Sequence, residues 1–307
     1  MANHTSISSD ITKIYQALLD QFGPQKWWPG DTAFEVIVGA VLTQNTNWKN
    51  VEKAIVNLKR EGLLSIEQLH KVSLERLAQA IKPAGYFNVK AKRLKNVVAF
   101  IMKRYPDAGT RLSLNRRRKA FRSGFRPVEA CNDGFQSTGL HDGSLDVFNQ
   151  QSLDHLRREL LSINGVGPET ADSILLYAFD KPAFVVDAYT KRFLTRHNMV
   201  SAEVGYQEVQ KIFLDALDLD VKLFNEYHAL IVKVGKDFCK PHPKCEDCPL
   251  QNIRYNRNNR CENCYRSFLD GEKKYFSRNK IRKLVCRGCR KKFETFATSG
   301  KGKVSGK

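Results

Sequence analysis

The chain has 307 residues, 42% of them hydrophobic, enough to bury a sizeable core in one large or two smaller domains. No run approaches the roughly 18–20 apolar residues of a membrane span, and residues 1–10 carry no apolar signal core, so an intracellular, cytoplasmic (in a bacterium nucleoid-associated) protein is expected. The formal charge of +19 suits a polyanionic partner, although charge alone does not separate DNA, RNA and an acidic surface.

Residues 10–22 place Ile11, Ile14, Tyr15, Leu18 and Leu19 on one face, the pattern of an amphipathic helix ended by Gly23-Pro24. A loop with Trp27 and Trp28 follows. Residues 34–42 are too apolar for a surface helix and should run through the core, ending on the polar turn Thr43-Gln44-Asn45-Thr46-Asn47 before Trp48. Helices are predicted at 51–63, 74–81 and 89–105, with an aromatic-bearing turn at 82–88. No sustained alternating segment precedes residue 250, so the body is expected to be all-α.

Residues 106–150 break the pattern with Arg116, Arg117, Arg118, Lys119, Arg122 and Arg126, then a Gly/Ser/Asp-rich stretch. Apart from a short helix at 112–121, this reads as a basic, loop-like insertion; an arm along the DNA backbone is the sharper alternative. Cys131 reads as a free thiol.

Leu156, Leu160, Leu161 and Ile163 then share one side of a helix. Asn164-Gly165-Val166-Gly167 stops it, because glycine accepts positive φ, and Pro168 stands at the first position of a new apolar helix through residue 179. Such a turn aims backbone N–H groups at a helix N-terminus outward, which is a site for a phosphate; an ordinary helix turn is the bland reading. Asp187 follows about twenty residues on and would also serve as the N-cap of a helix from Ala188. Further helices are predicted at 204–217 and 221–235.

Seven of the eight cysteines crowd between Cys239 and Cys289, which in a chain without a signal peptide favours metal over disulfides. Cys261, Cys264, Cys286 and Cys289 form two CxxC knuckles 21 residues apart, suited to one structural, tetrahedral Zn2+. Residues 274–277 and 281–285 between them fit short strands, giving a zinc-ribbon-like β module. From residue 251 onward the chain holds 17 Lys/Arg against 4 Asp/Glu, so a boundary is placed near 250, with domains at 1–250 and 251–307.

The hairpin, Pro168 and Asp187 together resemble the helix-hairpin-helix, Gly/Pro-Asp superfamily of DNA glycosylases typified by endonuclease III, over about residues 11–248 with one interruption. The resemblance implies a two-lobed, all-α glycosylase fold. It also implies that Asn164, Gly165, Val166 and Gly167 grip a DNA phosphate and that Asp187 is the catalytic carboxylate. Cys239, Cys245 and Cys248 (residues 239–248) resemble the iron–sulfur segment of endonuclease III and the adenine-mismatch glycosylase, which implies a [4Fe-4S] cluster. The first gap is one residue shorter than usual, and the fourth ligand stays open among Cys261, His242 and a cluster with three protein thiolates.

Trp27-Trp28-Pro29, Leu42-Thr-Gln-Asn-Thr46 and Pro83-x-Gly85 look closest to the 3-methyladenine glycosylase branch. That branch implies a base pocket from Trp27, Trp28 and Trp48, with Gln44 filling the gap left by a flipped base; core anchors are the simpler reading of the tryptophans. Lys236 matches only loosely and reads as solvated. Glu169 stands where endonuclease III has its Schiff-base lysine, and a glutamate cannot form an imine. The expectation is a monofunctional DNA glycosylase, a monomer that flips a damaged base, an alkylated purine, out of double-stranded DNA and hydrolyses its N-glycosidic bond. The alternatives are a non-catalytic DNA-binding protein and an enzyme acting on oxidised pyrimidines, which Glu169 disfavours.

Overall fold

The computed structural model describes residues 4–25, 27, 30–106, 145, 148, 150–253, 274–278 and 281–285. Trp28, most of 106–150 with Cys131 and the helix expected at 112–121, and Cys261, Cys264, Cys286 and Cys289 lie outside the described residues. The body is helical: α1 (His4–Phe22), α2 (Ala33–Leu42), α3 (Trp48–Arg60), α4 (Ile66–Lys71), α5 (Leu74–Ala80), α6 (Phe87–Arg104), α7 (Leu153–Ser162), α8 (Pro168–Ala178), α9 (Ala188–Arg196), α10 (Tyr206–Leu214) and α11 (Val221–Asp237). Strands β1 (Lys274–Arg278) and β2 (Ile281–Val285) pair antiparallel with Phe276 opposite Lys283, where two short strands were expected. No helix among the described residues is long and apolar enough to cross a membrane.

Among the differences from expectation, two boundaries and one added helix have local reasons. Asn47 accepts a hydrogen bond from the backbone N–H of Asn50 at 3.1 Å, so α3 starts at Trp48 and the tryptophan is helical rather than part of the loop. Ser65 caps the unforeseen α4 by accepting from Gln68 N–H at 3.2 Å; six residues with two buried apolar side chains are too few to show a period. The first turns of α1 are polar, and they too carry no apolar signal.

The chain divides into two compact units. One holds the described parts of residues 27–185 together with 220–225. Its centre is α2, buried at every position but Ala40, as expected of so apolar a segment, and packed against α8, α6 and α3. Helices α4 and α5 lie on α6, and α7 lies on α8. The other unit holds the described parts of residues 1–26, 186–219 and 226–307. There α1 packs on α10, and the buried Tyr227 donates to the Ile11 carbonyl at 2.8 Å, so its hydroxyl is satisfied inside an aromatic core with Tyr15 and Phe213.

Candidate active site

The hairpin is built as its glycines require. Gly165 has φ +97°, which strains any residue that carries a Cβ, and a Cβ there would also run into the Arg93 side chain and force it to shift. Gly167 is the N-cap of α8 and brings no side-chain acceptor to the N–H groups of the first turn, while Pro168 occupies the first helical position. The two helices are clamped by a fork between Arg157 and the fully buried Asp172, with Nε to Oδ1 at 2.7 Å and a terminal guanidinium nitrogen to Oδ2 at 3.1 Å.

Residues far off in sequence hold the turn itself. Asn96 donates to the Asn164 carbonyl at 3.0 Å. Gln44 donates from Nε2 to the Gly165 carbonyl at 3.0 Å and to Thr170 Oγ1 at 2.9 Å, and its Oε1 accepts from Arg93. Gln44 is thus joined to the hairpin. Beneath the turn that carries it, Lys90 is buried at 1% exposure and gives its three ammonium hydrogens to Leu42 O, Thr46 Oγ1 and Ala84 O at 2.8–2.9 Å. Burial lowers the Lys90 pKa to about 8, with Arg93 adding to the shift.

Of the tryptophans, Trp27 is half-buried and meets Tyr177 edge-on with ring centroids 5.3 Å apart. Trp48 is half-buried, its ring over the backbone of α2 at Gly39. Glu169 is exposed in the first turn of α8, where an acid favours the helix dipole.

In the other unit Asp187 is the N-cap of α9. Its Oδ1 accepts from Thr190 N–H at 2.7 Å and from Thr190 Oγ1 at 2.8 Å, and its Oδ2 faces His228 Nε2 at 3.6 Å. Burial pushes the carboxyl up, but the His228 imidazole and the two Thr190 donors outweigh it and hold its pKa below the ordinary value. The group is therefore held as an anion despite its burial.

Cys239, Cys245 and Cys248 line one small pocket with Phe193, Arg196 and His197. Arg196, itself buried, donates to Cys239 Sγ at 3.2 Å and to the carbonyls of Lys240 and Pro241 at 2.6 and 3.1 Å. Arg192 adds bonds to the Cys239 and Gly235 carbonyls at 2.6 and 3.0 Å. Burial pushes the Cys248 thiol up to about 11, and its neighbours Cys239 and Cys245 add to the rise. Among the described residues no trio of His, Cys, Asp or Glu closes tightly enough to hold a single metal ion. Three thiols around one pocket beside a buried guanidinium fit an anionic polynuclear cluster, whose ligands stand farther apart. His242 is exposed and is not among the residues lining that pocket.

Sequence reasoning missed Arg93, Asn96, Arg157, Asp172, Arg192, Arg196 and His228. Each lies on a helix at an unremarkable position, and only the tertiary partner reveals its role.

The model for HhH-GPD superfamily base excision DNA repair proteins matches residues 38–218. A Methanocaldococcus jannaschii protein, named provisionally as a DNA repair glycosylase, is 44% identical over 79% of this chain and 94% of its own length. Endonuclease III of Thermotoga maritima is 27% identical over 71% of this chain and 81% of its own. The crystal structure of H. pylori 3-methyladenine DNA glycosylase bound to 1,N6-ethenoadenine is similar at TM-score 0.55 and 26% identity, covering 75% of this chain and 97% of that one. A trapped endonuclease III–DNA covalent intermediate shares the fold at TM-score 0.59 and 20% identity, over 82% of this chain and 96% of that one.

Proposed function

Since the chain belongs to the HhH-GPD superfamily of base excision DNA repair proteins, as a DNA glycosylase of that superfamily, we propose that it excises an alkylated purine from duplex DNA by hydrolysis alone. The observation that carries this reading is Asp187, a desolvated carboxylate held anionic by Thr190 and His228. Loss of a base leaves an oxocarbenium-like sugar, and a fixed anion beside it stabilises that charge while orienting or deprotonating the attacking water. The hairpin supplies N–H groups for a phosphate, and Trp27 and Trp48, with Trp28, supply aromatic faces for an extruded, electron-poor base. The similarity to a 3-methyladenine glycosylase supports an alkylated purine over other lesions.

Glu169 supports hydrolysis without strand cleavage, because no amine stands at that position to form an imine. Cys239, Cys245 and Cys248 would hold a [4Fe-4S] cluster, whose contribution is to fix the loop after α11, with Arg196 offsetting its negative charge. Cys261, Cys264, Cys286 and Cys289 would hold a structural Zn2+, a reading that rests on the spacing of the two CxxC knuckles.

The test is base release from a panel of duplexes carrying alkylated purines, oxidised pyrimidines and mismatched adenine, with borohydride added in parallel. Release of an alkylated purine with no trapped protein–DNA adduct is the expected result. A borohydride-trapped adduct, or activity confined to oxidised pyrimidines, would overturn it.

A further inference from the structure

The Asp187 carboxylate has two oxygens, and the two are held differently. Thr190 takes Oδ1 with two donors from the same helix. Oδ2 is met by one residue from another helix, His228 of α11, which is 5% exposed and has Nε2 at 3.6 Å. We propose that His228 is a positioning residue for the glycosylase reaction: it fixes the direction of Asp187 Oδ2, the oxygen not committed to the helix cap. This rests on the reading of Asp187 as the catalytic carboxylate.

The placement of His228 does not depend on the pair it forms. Seven positions on, and so on the same face of α11, Gly235 lies under the Tyr189 ring; a Cβ there would run into that ring. Arg192 covers that ring with its guanidinium carbon 4.9 Å from the centroid and bonds the Gly235 and Cys239 carbonyls. The contacts advance together along both helices, from Asp187 with His228, through Tyr189 with Gly235, to Arg192 with Cys239. This register brings Nε2 to 3.6 Å from Oδ2.

A carboxylate capped on one oxygen alone can still rotate or tilt about that cap. A near-attack geometry does not tolerate such freedom, because a misplacement of about 1 Å costs on the order of 100-fold in rate. At 3.6 Å the pair lies just beyond hydrogen-bond length, and a shift of a few tenths of an ångström would let a hydrogen on Nε2 donate to Oδ2 and remove that freedom.

The experiment compares wild type, His228→Ala, His228→Gln, His228→Asn and Asp187→Asn in single-turnover base release, with DNA affinity and melting temperature measured for each. A glutamine amide nitrogen reaches the place of Nε2, whereas an asparagine nitrogen reaches only that of Nδ1. The expected result is a plateau rate lowered roughly 10-fold to 100-fold in His228→Ala, better restored by Gln than by Asn, at unchanged DNA affinity. His228→Ala at the wild-type rate beside an inactive Asp187→Asn would overturn this inference and leave the catalytic reading of Asp187 standing. Equal loss in Ala, Gln and Asn variants, in step with lowered melting, would also overturn it, since packing alone would then explain the histidine. Asp187→Asn at the wild-type rate would remove the premise itself.

Discussion

The hairpin and the α9–α11 region solve the same problem, holding a short irregular segment in place, with different chemistry. The hairpin is gripped at its carbonyls by two amides, the part-buried Gln44 and the exposed Asn96, with the Arg93 guanidinium on Gln44. Its outward side is left to backbone N–H groups. The cysteine loop is gripped by the buried Arg196, and Asp187, bonded by Thr190, faces the buried His228. A surface that docks on a polyanion keeps its cations at the rim, where salt screens them; a segment that must hold an anion keeps its countercharges inside. The difference predicts that the first region answers mainly in DNA affinity and the second in stability and rate.

The largest change is expected from Arg196→Leu. It leaves the Lys240 and Pro241 carbonyls and Cys239 Sγ without their donor. A loss of about 3 kcal/mol in unfolding free energy, with reduced iron per protein on purification, is the outcome to look for by denaturation and metal analysis. Unchanged stability would mean that buried charge does not hold this loop.

Gly165→Ala comes next, because it forces a β-carbon into a left-handed position against Arg93. About 2 kcal/mol of destabilisation and roughly tenfold weaker binding to undamaged duplex, a shift of ~1.4 kcal/mol, are expected in melting and titration experiments. Gln44→Ala should cost about 1 kcal/mol and weaken undamaged-duplex binding too, since Gln44 braces the hairpin. Were Gln44 only a filler for the gap beside a flipped base, intact duplex would bind as before.

The smallest effect is one of pH. The Asp187 pKa is depressed in the fold, so its contribution to stability is present above the ordinary carboxylate value of 3.8 and lost as pH falls through the lower folded value. The stability gap between wild type and Asp187→Asn should hold between about pH 7 and 5 and close only in stronger acid. A gap that closes between pH 7 and 5 would put the carboxyl above its ordinary value.

Much of this was legible in the chain. The apolar run of α2, the Gly165-Val166-Gly167 stop, Pro168 at the start of α8 and Asp187 as a cap are local chemistry, written in neighbouring residues. What could not be read were the long-range grips. Arg93 and Gln44 are 49 positions apart, and Arg196 reaches Cys239 across 43. An arginine in a helix says nothing about its acceptor. Gln44 shows the limit most clearly: the family resemblance implied a filler for the gap left by a flipped base, and nothing in the sequence announced its bonds to the hairpin. Lys90 shows another, since a lysine in a basic helix reads as solvated until three acceptors are found around it.

The central claim is that Asp187 performs the chemistry while the hairpin holds the DNA, and single-turnover base release against protein concentration tests it most directly. For Asp187→Asn, in which asparagine still caps α9, the plateau rate should fall roughly 10²–10⁴-fold with half-saturation unchanged. For Gly165→Ala, half-saturation should move about tenfold while the plateau stays near wild type. An Asp187→Asn plateau equal to wild type would contradict the account.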